Sequence, residues 1–93
     1  MATFIMMGTY SPEAIKEISS ERTAQATKII EEAKGKLMSI YATMGDFDLL
    51  AVVEFPGIAE AIKASVNLNR ALEIAFSTVP ALGVEEFDKV AAG

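Results

Sequence analysis

Residues 36–55, KLMSIYATMGDFDLLAVVEF, decide the fold of this chain. Side chains alternate between two faces over residues 36–44, and a second strand-like run covers residues 47–55. Gly45-Asp46 stands between the two runs and favours a tight turn. The sequence therefore predicts a β-hairpin in the middle of the chain, with Pro56-Gly57 ending its second strand.

The segment before the hairpin predicts a strand and then a long helix. Residues 3–10, TFIMMGTY, are rich in β-branched, aromatic and methionine side chains. Ser11-Pro12 supplies a helix N-cap and a residue suited to the first helical position. Apolar residues then recur with a helical period, and Gly35 is expected to close the helix. Ser19-Ser20 interrupts the period, so we expect a kink or break there, with Ser20 as the cap of the second part.

The segment after the hairpin predicts a second helix and a fourth strand. The inward stripe of the helix is expected to consist of apolar residues at helical spacing: Ile58, Ala61, Ile62 and Val66. Asn67-Leu68-Asn69 is expected to end the helix, and residues 71–79 are expected to form the strand. Pro80 opens a tail in which residues 84–91 predict a short helix.

The resulting order is βαββαβ with a short C-terminal helical tail, and residues 1–93 are expected to form one domain. Short connections and right-handed crossovers convert this order into the ferredoxin-like α+β fold. That fold has a four-stranded antiparallel sheet with two helices on one face. The first and third strands are expected to be central.

Composition excludes several function classes. The 93 residues include no cysteine and no histidine, so no thiolate or imidazole metal site, thiol nucleophile or cofactor is predicted. A formal net charge of −5, and a third strand without Lys or Arg, argue against a nucleic-acid partner. No apolar run approaches the ~20 residues of a membrane span, and the N-terminus lacks a basic segment. A cytoplasmic location without a membrane partner is therefore expected.

Both central strands are expected to be apolar on both faces. Leu50 and Val52 lie on the face of the third strand that points away from the core, and Ile5 and Met7 lie on the corresponding face of the first strand. A sheet face in contact with water normally alternates with polar residues on that side. Self-association as a homodimer or higher homo-oligomer is therefore predicted. The alternative is that the tail, residues 82–87, folds over this face.

Residues 41–48, YATMGDFD, and the strand end at residues 53–56, VEFP, resemble the GYD domain family. Gly8-Thr9-Tyr10 and Ser20-Glu21-Arg22 fit the same pattern. The family is similar to the wider dimeric α+β barrel group, so the resemblance implies a ferredoxin-like protomer, a dimer or larger assembly, and an unassigned biochemical role. Phe47 occupies the position of the family's name-giving tyrosine, so the phenolic hydroxyl of that motif is absent here.

Four residues are candidates for ligand binding: Tyr10, Arg22, Tyr41 and Asp48. The tyrosines combine an apolar body with a polar tip, which suits a cleft between sheet and helices. Asp48 either pairs with Arg22 as a structural clasp or faces a ligand. Gly45 and Phe47 are interpreted as structural, the glycine through a positive φ in the turn and the aromatic ring as an anchor in the core.

Three functional hypotheses follow. The first is a cytoplasmic homo-oligomer that binds a small apolar or amphipathic molecule. The second, by analogy with the α+β barrel group, is a cofactor-free monooxygenase or isomerase with Asp48 as its acid or base. The third is a purely structural interaction module, which predicts no cavity able to hold a ligand.

Overall fold

Four strands and four helices make up the chain, which a computed structural model describes over residues 1–93. The elements in chain order are β1 (Ala2–Tyr10), α1 (Pro12–Ile15), α2 (Ser20–Glu32), β2 (Lys36–Ala42), β3 (Leu49–Phe55), α3 (Ile58–Leu72), β4 (Ile74–Ala81) and α4 (Val84–Ala92). None of the helices is both long and apolar enough to cross a membrane.

The strands form one antiparallel sheet in the order β2-β3-β1-β4. The prediction that the first and third strands are central is confirmed, because β1 pairs with β3 on one side and with β4 on the other. The helices α2 and α3 pack on one face of this sheet. The chain therefore has the predicted ferredoxin-like α+β fold.

The core fills the space between the sheet and the two helices. Its largest fully buried side chains come from both layers: Met6, Val53, Phe55, Leu68 and Leu72. The rings of Phe4 and Phe55 meet edge to face with centroids 5.8 Å apart, a geometry that aromatic pairs favour. Removing each of these side chains from water contributes about 1.5–3 kcal/mol to stability.

The predicted first helix is two separate helices, α1 and α2. Ser19, and not Ser20, caps α2, because its extended backbone lets its hydroxyl oxygen accept from the Arg22 amide at 3.2 Å. Gly35 was expected to close the helix, and its amide does donate to the Ile30 carbonyl at 2.9 Å, but the left-handed residue at this end is Lys34, with φ 65°. Gly35 also lies against the ring of Phe55, where a side chain would not fit.

The helix α3 is longer than predicted and faces the core differently. It continues through Asn67-Leu68-Asn69 because Leu68 and Leu72 extend its buried stripe, so β4 starts at Ile74 and not at residue 71. The buried residues of α3 are Ala61, Ala64, Leu68 and Leu72. Of the predicted stripe, only Ala61 is therefore correct. Alanines face the core because their small side chains let the helix approach the sheet closely.

Three members of the predicted stripe point to solvent. Ile58, Ile62 and Val66 are 66%, 56% and 41% exposed. Pro80 was also misplaced as the start of the tail, because it lies within β4. Proline is tolerated there because β4 is an edge strand.

The link between β2 and β3 spans residues 43–48 and is longer than the predicted Gly-Asp turn. Thr43 closes this link with two hydrogen bonds. Its amide donates to the Asp48 carbonyl at 2.8 Å, and its hydroxyl donates to the Phe47 carbonyl at 2.7 Å. Gly45 has φ 125°, which confirms the predicted positive φ. Residues 47–48 therefore belong to the link and not to β3.

The second face of the sheet carries no helix of this chain. Its central residues Ile5, Met7, Leu50 and Val52 are half-buried. Every residue from Leu82 to Gly93 is exposed, including Phe87. The alternative in which the tail covers this face is therefore wrong for the single chain.

Candidate functional site

A cleft opens between the first turns of α2 and one end of the sheet. This is the end where β1 finishes with Tyr10 and where β3 and β4 begin with Leu49 and Ile74. The cleft has a volume of about 40 Å³. This volume is the space open to the centre of a water molecule, and one water needs about 10–15 Å³ of it. The cleft therefore has room for roughly three water-sized groups.

Aliphatic side chains form most of the cleft wall. They come from the segment before α2, from α2 itself and from three strands: Ile18, Ala26, Ile40, Leu49 and Ile74. The polar lining residues are Ser19, Arg22, Thr23 and Tyr10. An apolar wall with a few convergent polar groups is typical of small-molecule sites.

Arg22 joins the two helices beside the cleft. Its guanidinium Nη2 donates to the carbonyl of Leu72 at the C-terminal end of α3, where a cation is favoured by the helix dipole. Its Nε is buried and has no hydrogen-bond partner. No carboxylate lies within the ion-pair distance of 4.0 Å, so the pairing with Arg22, one of the two alternatives for Asp48, is not formed.

Asp48 ties the end of β1 to the hairpin. Its Oδ2 accepts from the Tyr10 amide at 2.9 Å, and its own amide donates to the Gly8 carbonyl at 2.8 Å. Its carbonyl accepts from the Thr43 amide at 2.8 Å. These bonds favour the structural interpretation of Asp48, with Tyr10 and not Arg22 as the partner.

Tyr10 is close enough to Asp48 and Arg22 for both of their charges to act on its phenol. Burial raises the pKa of the Tyr10 phenol above its ordinary value of 10.0, the Asp48 carboxylate raises it further, and the Arg22 guanidinium opposes both. The phenol is therefore protonated at neutral pH and has a hydrogen to donate. Tyr10, Arg22 and Asp48 are thus close together, although Asp48 does not line the cleft.

Tyr41 does not belong to this group. The pairing of β2 with β3 shifts between Leu37 and Ser39, and Tyr41 then pairs with Leu50 on the face away from the helices. Its side chain is 59% exposed. The prediction that Tyr41 borders the cleft is therefore wrong.

The other predicted structural residue, Phe47, is half-buried and lies outside the buried cluster. The expectation of a core-anchoring ring is not met, and Phe47 contributes its backbone carbonyl to the link. No cluster of three or more carboxylates lies where it would hold a metal ion.

Sequence reasoning missed most of the lining residues. Ser19 and Ala26 were missed, although they stand three and four positions from the predicted Arg22 and so share its face at the start of α2. That spacing was a usable signal. The strand residues Ile40, Leu49 and Ile74 gave none, because their place beside α2 depends on strand register.

We expect Asp48→Ala to lower the free energy of unfolding by about 1.5–3 kcal/mol, because the half-buried Tyr10 amide loses a charged acceptor. Asp48→Asn keeps an acceptor oxygen and should cost less. Urea denaturation measures both, and Asp46→Ala, an exposed acid in the same link, is the matched control. Equal stability of the Asp48→Ala and Asp46→Ala variants would contradict the structural role.

Comparisons with known proteins agree with this fold. The family model described as GYD domain matches residues 4–91. Among solved structures, the chain is similar to the leucine response regulatory protein (LrpA) of Mycobacterium tuberculosis, with a TM-score of 0.59 and 10% sequence identity. The match covers 88% of this chain and 51% of that one, so this chain spans about half the length of LrpA. At this identity the likeness concerns the fold alone. No protein with a curated description matches the chain.

Proposed function

Because the chain belongs to the GYD domain family, whose members are small α+β domains without an assigned role, we propose that it is a cytoplasmic homo-oligomer that binds a small amphipathic molecule in the cleft beside α2. The observation that carries the proposal is the guanidinium of Arg22, which makes one hydrogen bond and lines a cleft with an aliphatic wall. A bound molecule that accepts from its remaining N–H groups would add hydrogen bonds that the chain itself does not supply.

The open sheet face supports the homo-oligomer. Ile5 lies opposite Val52 on one side and Val79 on the other, and Met7 lies opposite Leu50. These side chains form one apolar patch across three strands, with the opposed pair Lys36 and Glu54 at its border. An apolar centre with a charged rim is typical of subunit interfaces, and an isolated soluble domain rarely exposes such a patch.

The cofactor-free enzyme remains a second candidate because of Tyr10. A protonated phenol at the edge of an apolar cleft is suited to general acid catalysis. Asp48 is less suited than the sequence suggested, because one of its oxygens accepts from the Tyr10 amide. The presence of a cleft argues against a purely structural module.

Nuclear magnetic resonance titration of the ¹⁵N-labelled protein with a panel of small amphipathic molecules tests the binding proposal. We expect saturable amide shifts confined to the cleft, chiefly at Tyr10, Ser19, Arg22 and Ala26. The variant Ala26→Phe fills the cleft and should abolish the shifts, whereas Ala24→Phe, on the exposed side of α2, should keep them. Shifts elsewhere, or none with any member of the panel, would contradict the proposal. New product signals would favour the enzyme.

A further inference from the structure

The guanidinium of Arg22 is fixed in position but only partly used. It carries five N–H donors, and the one hydrogen bond it makes is to the Leu72 carbonyl. Nε has no partner but is removed from solvent, so an incoming acceptor reaches the guanidinium through its other N–H groups. These groups are available to an acceptor that the chain itself does not provide.

The cleft also has an unbalanced charge. Arg22 is the only ionisable residue other than Tyr10 among those that line it. The nearby acid, Asp48, is not part of the lining and is held by the Tyr10 amide. Because Arg22 is half-buried in an otherwise uncharged cleft, a negatively charged acceptor is the partner that its guanidinium would bind best.

We infer that the ligand of this cleft is a small apolar carboxylate, whose anionic end is bound by Arg22 and whose hydrocarbon part contacts the aliphatic wall. The inference rests on the proposed function and specifies its ligand class. A guanidinium matches a carboxylate in shape as well as charge, because its planar N–H groups can bind both oxygens. The phenol of Tyr10 and the hydroxyl of Ser19 line the same cleft and offer further hydrogens.

The dimensions limit the size of the acid. Space for roughly three water-sized groups accommodates a carboxylate and little more at the polar end. The hydrocarbon part therefore lies at the mouth of the cleft, against Ile18, which is 58% exposed at its border. Short branched or aromatic acids fit this description better than long fatty acids.

Paired probes test the inference. Isovalerate and benzoate are titrated at neutral pH by calorimetry and by nuclear magnetic resonance, each against its neutral amide, isovaleramide or benzamide. The acid and its amide have nearly the same shape, so the comparison isolates the charge. We expect each acid to bind at least about tenfold more tightly than its amide, with a new Arg22 Nε–H shift, because charge-assisted hydrogen bonds are the stronger ones.

Variants separate the role of Arg22 from that of the fold. Arg22→Gln should lose the preference for acids, and Arg70→Gln, at an exposed arginine in the last turn of α3, should keep it. If Arg22→Gln fails to fold because the bond to Leu72 is lost, Ala26→Phe blocks the cleft with the guanidinium in place and should abolish binding of both acids.

The outcomes distinguish this inference from the proposed function. Equal binding of acid and amide in the cleft, or a preference for acids that persists in Arg22→Gln, overturns the carboxylate inference and leaves small-molecule binding standing. Cleft shifts from neutral molecules, with none from either acid, would also overturn the carboxylate inference and leave small-molecule binding standing. The absence of cleft shifts with every probe overturns both.

Discussion

Replacing Gly35 by alanine is expected to lower the free energy of unfolding by about 3 kcal/mol, at the upper end of the usual range for overpacking. A Cβ at Gly35 would lie 2.5 Å from Cε1 and 2.8 Å from Cδ1 of Phe55, and 2.9 Å from Cγ2 of Ile30. The Phe55 ring is fully buried and packs edge-on against Phe4, so it has no free space to move into.

Denaturant unfolding monitored by circular dichroism measures this loss. Gly83→Ala is the matched control, because no atom lies within 4 Å of its Cβ position and its φ of −61° suits any residue. A double-mutant cycle with Phe55→Leu locates the clash, since the smaller side chain should offset part of the cost of the alanine. If Gly35→Ala and Gly83→Ala were equally stable, the close packing of Gly35 against Phe55 would be disproved.

The substitution Val52→Asp is expected to convert the proposed oligomer into a monomer. Val52 lies at the centre of the open sheet face, opposite Ile5 and Ser39. In a face-to-face dimer this position is removed from water, and an unpaired carboxylate there costs several kcal/mol. The dimer dissociation constant should then rise by at least about a thousandfold, which corresponds to roughly 4 kcal/mol.

Analytical ultracentrifugation over a range of concentrations gives the oligomeric state. Val66→Asp introduces the same charge at an exposed valine on the helical side and should leave the oligomer intact. Val52→Thr keeps the β-branched shape and should weaken association less than the aspartate. A wild-type protein that is monomeric at micromolar concentration, or a dimer unaffected by Val52→Asp, would contradict the open face as the interface.

The sheet was predictable because its evidence is local. Alternation over residues 36–44 and 47–55 identifies two adjacent strands, and the order of elements leaves few allowed topologies. The central position of β1 and β3 followed, with the same residues facing the helices as predicted. The two-sided apolar character of these strands was also visible in the sequence, whereas the partner that would cover the second face was not.

The errors arose where tertiary packing overrides local preference. Asparagines at 67 and 69 favour a helix end, but the burial of Leu68 and Leu72 stabilises another turn. Ile58 and Ile62 are more hydrophobic than Ala61 and Ala64, yet the alanines face the core because they permit close approach. Hydrophobicity alone does not distinguish the two faces of such a helix.

The candidate site was predictable only in part. Tyr10, Arg22 and Asp48 were singled out from residue type and position, and they do lie together. Their connections were not predictable, because the acceptor for Arg22 is a backbone carbonyl 50 positions away. Tyr41 was misplaced by one irregular step in strand pairing, since a shift of a single residue moves a side chain to the opposite face.

The central position of β1 has a consequence for synthesis on the ribosome. β1 ends at residue 10, while its two neighbours end at residues 55 and 81, so 71 further residues must be added before both flanks of β1 are present. At the usual rate of translation this takes roughly 4–14 s. During that time at least one edge of the apolar strand β1 has no neighbouring strand to pair with. The strand is then accessible to chaperones and prone to premature aggregation.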